Sequence, residues 1–345
     1  MVAKKILFFA NTKFLDAFCR QKYYLNTVEI LKRNGCEIIL SNKISDVFKY
    51  DYDCIFNFFY KKGVIASLIS KIKGKKVYFT GGLDDLDYRY ANLYRYFRQA
   101  VIFKICLWLA DCVLVESHSD LVNINKICFR KHHKNIFYVP QAIDIKLYKS
   151  NFNLKENLFS TICWLGELSN PIRKGVDASL YYFKYLSSFP EFSDYKYYIM
   201  GRKDGAAVAY IENIIQDLGL TDKVILTGEV SEEDKIRILK KSKFFFQLSK
   251  TEGFGLAALE ALAAGCIAIH TGKGGLQDVI ANDGILVDNS TFKYTVESID
   301  KSVYPKILSK GIDDVSNMEK RISRIFDVSV RYDNFNKTIF KNLYS

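Results

Sequence analysis

The stretch Ser249–Gly275, SKTEGFGLAALEALAAGCIAIHTGKGG, gathers the residue types that chemistry needs. Glu252 and Glu260 lie eight residues apart, the first in a loop after an apolar strand that ends at Leu248, the second about one turn inside the helix that starts after Gly255. A carboxylate accepts two hydrogen bonds from neighbouring hydroxyls, so each suits a ribose or hexose diol. Gly253 and Gly255 flank Phe254 and allow close approach of a ligand to the backbone. The unpaired N–H groups at the helix start, from Leu256 onward, suit a phosphate or a sugar hydroxyl. Taken singly, Glu252 reads as a solvated loop residue and Glu260 as a charge facing the helix dipole. Their combination with the glycine-phenylalanine-glycine loop is what points to a ligand.

Residues of this kind must be held by regular elements, and the sequence supplies a βαβ rhythm. Apolar runs at Lys5–Ala10, Glu37–Ser41, Cys54–Tyr60, Lys76–Thr80, Cys112–Glu116 and Asn135–Val139 alternate with helical stretches, including Val64–Ile72 and Tyr88–Ala110. After the polar stretch Lys149–Asn157 the rhythm restarts with strands at Phe159–Leu165, Tyr195–Met200, Lys223–Thr227, Phe244–Leu248 and Cys266–His270. Continuous apolar strands joined by helices imply parallel sheets covered on both faces, in an α/β chain. Ligands of such sheets bind at the carboxyl ends of the strands, where the Glu252 loop falls. The expected division is residues 1–150, residues 151–330 and a last helix within 331–345.

A chain of 345 residues suits two cores, and 49% hydrophobic with 26% charged residues is a globular composition. The eight cysteines are scattered without a C-x-x-C pair and read as buried thiols of a reducing cytosol. The longest apolar run, Ala100–Val115, is broken by Lys104 and Asp111, so a cytoplasmic protein, at most peripheral on a membrane, is expected. Of the four histidines, His118, His132, His133 and His270, none has a metal-ligand companion at useful spacing, and no metal is expected. The net charge of +12 is uneven: residues 1–150 hold 25 Lys+Arg against 13 Asp+Glu, and residues 151–345 hold 25 against 25. A basic half beside a neutral one suggests an anionic partner for the first.

The Ser249–Gly275 segment resembles the E-x7-E signature of retaining glycosyltransferases of family 4, which have the two-domain GT-B architecture. Further segments agree in order: ADCVLVES at Ala110–Ser117, VPQAID at Val139–Asp144, WLGELSNPIRKGVD at Trp164–Asp177, IMGRKDG at Ile199–Gly205 and LGLTDKVILTGEVSEED at Leu218–Asp234. The resemblance implies two Rossmann-like domains facing across a cleft, with a C-terminal helix returning to the N-terminal domain. It also implies that a nucleotide sugar binds the second domain, with Glu260 on the donor ribose and Glu252 on the donor sugar. Lys174, with Arg173 beside it, falls on the position of the diphosphate lysine. Gly228 to Val230 fall where such enzymes grip the base through the backbone, which leaves uridine and guanosine donors open. The family's arginine after the loop glycine is absent here, because Glu167 follows Gly166, and Arg173 or Arg202 is left to supply that charge. Front-face attack assisted by the donor phosphate, without metal or organic cofactor, is the mechanism implied.

The first half is the acceptor side in that family and departs from it most. The loop after the first strand is Asn11-Thr12-Lys13-Phe14 rather than glycine-rich, and no histidine follows Val77–Thr80. Thr80–Arg89 reads TGGLDDLDYR, where Asp84 or Asp85 is the candidate for contact with donor sugar or acceptor. Two stretches, Tyr60–Lys76 and Tyr88–Lys104, interleave cations with apolar or aromatic residues and suit the headgroup layer of an anionic membrane. No nucleic-acid module accompanies them, and nucleic acid is not expected as a partner. The expected function is hexosyl transfer from a UDP- or GDP-sugar to a glycan or lipid-linked acceptor. A catalytically silent nucleotide-sugar-binding subunit and a sugar-nucleotide epimerase of the same fold are the rivals.

Overall fold

The computed structural model of the chain describes residues 4–87, 92–128, 134–288 and 294–344, with the backbone alone at Asp84. His132 and His133, like Arg89, lie outside the described residues. The chain forms two compact units, residues 1–143 with 328–345, and residues 144–327. The change of unit between Ile143 and Asp144 comes a few residues before the polar stretch Lys149–Asn157.

The first unit holds six parallel strands: β1 Lys5–Ala10, β2 Glu37–Ser41, β3 Cys54–Phe58, β4 Lys76–Thr80, β5 Cys112–Val115 and β6 Ile136–Tyr138. Their order is β2-β1-β3-β4-β5-β6, so the order reverses between β1 and β3. Alternate residues of each strand feed opposite faces. On one face Ile6, Phe8, Phe56 and Tyr78 meet Phe335, Ile339, Phe340 and Leu343 of the C-terminal segment. On the other, Leu7, Phe9, Ile55, Val77 and Phe79 meet Phe103 and Cys106. Apolar burial on both faces explains why the strands read as unbroken hydrophobic runs.

The C-terminal segment begins at Val328, whose N–H bonds to the Ile143 carbonyl, and is anchored by Arg331, 1% exposed. That guanidinium donates to the Val139 and Pro140 carbonyls and, at 3.4 Å, to the Thr27 hydroxyl. Burial lowers its pKa to about 10, so it stays charged at neutral pH. A buried charge persists only where several acceptors surround it.

The second unit holds β7 Glu156–Ile162, β8 Lys196–Met200, β9 Val224–Gly228, β10 Ser242–Gln247, β11 Ile267–His270 and β12 Ile285–Leu286. All are parallel, in the order β12-β11-β10-β7-β8-β9. Counted from β7 this is the 3-2-1-4-5-6 order of dinucleotide-binding sheets, and the reversal lies between β7 and β10. Phe159 of β7 stacks on Phe244 and Phe246 of β10 at 4.9 and 5.1 Å, which fixes the two strands at that reversal.

His270 ends β11, is 2% exposed and accepts the Gly272 N–H at Nδ1. Burial lowers its pKa from 6.5 to about 4. The unfolded chain therefore binds a proton that the folded chain refuses between those values, and stability falls as pH drops from 6.5 to about 4. The shift corresponds to about 3 kcal/mol. Urea denaturation across this range should show the loss, and His270→Asn, which keeps an acceptor for Gly272, should flatten it. An equally steep slope in the variant would assign the acid sensitivity to other groups.

Candidate functional site

The candidate site of the second unit lies at the carboxyl ends of β7 and β10, where the strand order reverses. The loop after β7 leads through the short helix Ser169–Lys174 to Gly175, and the helix Val176–Leu186 follows. Gly175 adopts φ +68°, and a Cβ there would stand 2.0 Å from the Leu248 carbonyl oxygen. Only glycine permits this approach, which carries Lys174 against the loop after β10. The Lys250 N–H donates to the Arg173 carbonyl at 2.8 Å and closes the contact.

Lys174 donates to both Glu252 oxygens, at 2.8 Å to Oε1 and 2.7 Å to Oε2. Ser249 donates to Oε2 at 3.0 Å and Gln247 at 3.4 Å. Burial alone would push the Glu252 carboxyl up, but the charge and hydrogen bond of Lys174, with Arg173 and Ser249, hold it below its ordinary value. The carboxylate is ionised, pinned and screened from bulk water. Its backbone is fixed from the other side by the loop after β11. Gly274, at φ +60°, would place a Cβ 2.1 Å from the Glu252 carbonyl oxygen, which accepts the Gly275 N–H at 2.7 Å.

Glu260 occupies the second turn of the helix Leu256–Ala263 and is 3% exposed. Its Oε1 accepts from Tyr148 Oη and from Lys235 Nζ, both at 2.9 Å. Lys235 comes from the helix Glu232–Lys241, whose N-cap is Ser231. The two expected carboxylates thus have separate cations, Lys174 for Glu252 and Lys235 for Glu260. Lys235 and Tyr148 were not among the residues expected from the sequence. The only signal for them is that a buried glutamate needs a cation, which does not say which lysine supplies it.

The remaining expected residues fall into place unequally. Gly253 and Gly255 keep their backbone in the loop, but Phe254 is buried, packing edge to face on Phe326 at 5.7 Å, so its ring serves the core. Leu256 opens the helix. Gly228 closes β9, and its carbonyl accepts the Gly201 N–H after β8, with Val230 two residues on. Arg202 stacks over Trp164 at 4.8 Å and pairs with Asp204 at 2.7 Å, while Trp164 donates to Asp204 at 2.6 Å. Gly166 lies beneath the same indole, with Glu167 exposed next to it. Arg173 reaches the Thr251 carbonyl at 3.5 Å.

Asp84 and Asp85 belong to the first unit, in the 3-10 turn Asp84–Leu86 after β4. The Asp84 side chain lies outside the described residues. Asp85 pairs with Lys61 at 3.8 Å and lines a pocket of about 300 Å³ with Asn11, Phe59, Lys61 and Gln99. This pocket opens at the reversal between β1 and β3. Gln99, 5% exposed, makes no hydrogen bond among the described residues and so presents an unmatched amide. Phe59, which lines the pocket, is held at φ +71°, an outlier for a bulky residue that costs about 1–3 kcal/mol. Among the described residues no group of three or more His, Cys, Asp or Glu is arranged to hold a metal.

Residues 148–308 match the family model described as Glycosyl transferases group 1. The chain is 39% identical over 71 residues to the GDP-mannose:cellobiosyl-diphosphopolyprenol alpha-mannosyltransferase of Xanthomonas campestris, a match covering 21% of this chain and 19% of that relative. Sucrose-phosphate synthase from Thermosynechococcus elongatus superposes with a TM-score of 0.73 at 16% identity, covering 99% of both chains. HepE from Anabaena, solved in complex with UDP, gives 0.71 at 16% identity, covering 98% of this chain and 100% of that one. The fold is therefore GT-B, two parallel α/β sheets of the Rossmann kind.

The separate cation of Glu260 can be tested. Lys235→Met should destabilise the second unit by about 3 kcal/mol, because it leaves a buried carboxylate uncompensated. Lys235→Met combined with Glu260→Gln should recover much of that loss in chemical denaturation. Strict additivity of the two single changes would mean that the pair is not coupled.

Proposed function

We propose that this chain is a retaining glycosyltransferase that moves a hexose-type sugar from a UDP- or GDP-sugar to a hydroxyl of a glycan or lipid-linked acceptor. The observation that carries the reading is the Lys174–Glu252 pair at the strand-order reversal, within the segment that matches the family model. Without donor, the lysine and the carboxylate neutralise each other. A diphosphate entering there competes with Glu252 for Lys174, and a carboxylate so displaced is ready to accept a sugar hydroxyl. Lys174 then remains on the diphosphate, where charge grows as the sugar departs, and such preorganised charge is worth most in a site screened from water.

The other roles follow from placement. Glu260, held in a fixed orientation by Tyr148 and Lys235, is assigned to the donor ribose. The carbonyls and N–H groups around Gly228–Val230 are assigned to the base, with uridine supported by the UDP complex of HepE and guanosine by the GDP-mannose relative. Arg202, braced on Trp164, and Arg173 are the cations available in place of the arginine that Glu167 replaces. The reading takes no metal and no organic cofactor, since lysine and arginine carry the positive charge. The pocket of the first unit, with the amides of Asn11 and Gln99, the Asp85 carboxylate and the ring of Phe59, has the mixed polar and aromatic lining that a sugar acceptor requires. A lipid-linked acceptor is supported by the diphosphopolyprenol in the relative's name.

Three measurements test these roles. Glu260→Gln should raise the calorimetric Kd for UDP or GDP by about tenfold or more, from loss of a charge-assisted hydrogen bond of about 1.5–3 kcal/mol. An unchanged affinity in the folded variant would sink the ribose assignment. Lys174→Ala should lower kcat more than it weakens nucleotide binding, and the reverse pattern would reassign the lysine to donor capture. Asp85→Asn should raise the acceptor KM and leave the donor Kd alone. A chain that binds nucleotide but neither transfers nor hydrolyses any donor in a panel of nucleotide sugars would be a silent binding subunit instead.

A further inference from the structure

Helices that cover a sheet ordinarily turn a polar face outward. The helix Leu93–Leu109 of the first unit does not. Its inner side buries Ala100, Phe103, Cys106 and Leu109, and its outer side exposes Tyr94 (72%), Phe97 (62%), Val101, Ile105 and Trp108 (78%). Steps of three and four residues line these five side chains into one stripe along the helix. The helix Gly63–Ile72 packs beside it and adds Ile65, Leu68 and Ile72 (80%) at the same kind of spacing. Other large apolar side chains are exposed on this chain, among them Phe14, Phe48 and Leu154, but eight aligned on two adjacent helices form a continuous surface of the kind that marks an interaction site.

The charges around the stripe select the partner. Neither helix contains an acidic residue, and Lys62, Arg95 and Lys104 stand exposed at its margins. Lys62 and Arg95 have no carboxylate partner among the described residues. By contrast the lysine-rich end of the Tyr60–Lys76 stretch, from Lys71 to Lys76, is largely engaged within the unit. Lys71 pairs with Asp111 at 2.9 Å, Lys73 donates to the Val47 carbonyl, Lys75 pairs with Asp51 at 3.6 Å, and Lys76 donates to the Asn342 carbonyl. We propose that the faces of Leu93–Leu109 and Gly63–Ile72 dock on an anionic phospholipid bilayer, with the apolar stripe in the interface and Lys62, Arg95 and Lys104 on the headgroup phosphates. Tyr94 and Trp108, each with an apolar body and a polar edge, suit that layer. No described helix is long and apolar enough to cross a membrane, so these helices lie on the surface. A second copy of the chain is a poorer occupant, because a two-fold contact through the stripe would bring Lys62 and Arg95 of both copies, which have no carboxylate partner among the described residues, towards one another. The inference stands on these exposed faces alone and is independent of the transferase reading.

The test is co-sedimentation of the full chain with phosphatidylcholine vesicles of graded phosphatidylglycerol content, at low and moderate salt. Trp164→Phe leaves Trp108 as the sole tryptophan reporter. Binding should rise with phosphatidylglycerol and fall with salt, and Trp108 emission should shift to the blue on binding. Phe97→Ser with Val101→Ser should weaken partitioning by about tenfold or more while far-ultraviolet dichroism shows the fold intact. Changing Lys62, Arg95 and Lys104 to Gln should remove the dependence on phosphatidylglycerol, whereas changing Lys71, Lys73, Lys75 and Lys76 to Gln should largely preserve it. Binding indifferent to lipid charge, or unaltered by the two serines, would overturn the proposal. So would a lipid-free dimer, seen by sedimentation equilibrium, that the serines dissociate.

Discussion

The second unit depends on a single electrostatic constraint: a carboxylate near the end of β10 that is ionised although largely removed from water. Glu252 stays charged there chiefly because Lys174 meets both its oxygens, with Arg173 and Ser249 assisting. Lys174 arrives only because Gly175 lets one chain segment run against the carbonyl of Leu248. Ser249, Gln247 and the turn at Gly274–Gly275 then have little freedom, since each satisfies or abuts the same residue. Glu260 obeys the same rule with different partners, taking Tyr148 and Lys235. The half-buried Glu252 on Lys174 and the buried Glu260 on Lys235, which also meets Glu232 at 2.9 Å, leave a set of paired charges in place before any ligand is present.

Much of this was legible in the sequence. Strands that are apolar along their whole length announce parallel sheets, and the alternation with helices announces two of them. Short-range spacing singles out Glu252, Glu260, Gly253 and Gly255, because it places a loop and a helix start at a strand end, whereas Lys174 is singled out only by the resemblance of its segment to a glycosyltransferase motif. What escaped was set by contacts between distant residues. Lys235 lies 25 residues from Glu260, in a helix where several lysines look equivalent. The two-residue β12 is too short to leave a periodic signature. Phe254 sits between two glycines, and no local signal shows that its ring packs on Phe326, 72 residues away.

The basic first half shows the same limit from another side. Counting lysines located the excess of charge, but a count does not say which ammonium groups are already engaged. Lys71, Lys73, Lys75 and Lys76 are engaged by Asp111, Asp51 and two backbone carbonyls. On the outer side of Leu93–Leu109, by contrast, the exposed residues are mainly apolar ones.

The anchoring of Arg331 beneath Val139 and Pro140 has a consequence for biosynthesis. The first unit is discontinuous in the chain, since one face of its sheet is closed by Phe335, Ile339, Phe340 and Leu343. The second unit is contiguous from Asp144 to Asp327. As the polypeptide emerges from the ribosome, the later-made unit can complete its core first, while Phe8 and Phe56 of the earlier-made one wait for the final helix to be translated. Translation order and folding order are thus inverted, and the nascent first unit passes through an interval with an aromatic sheet face uncovered.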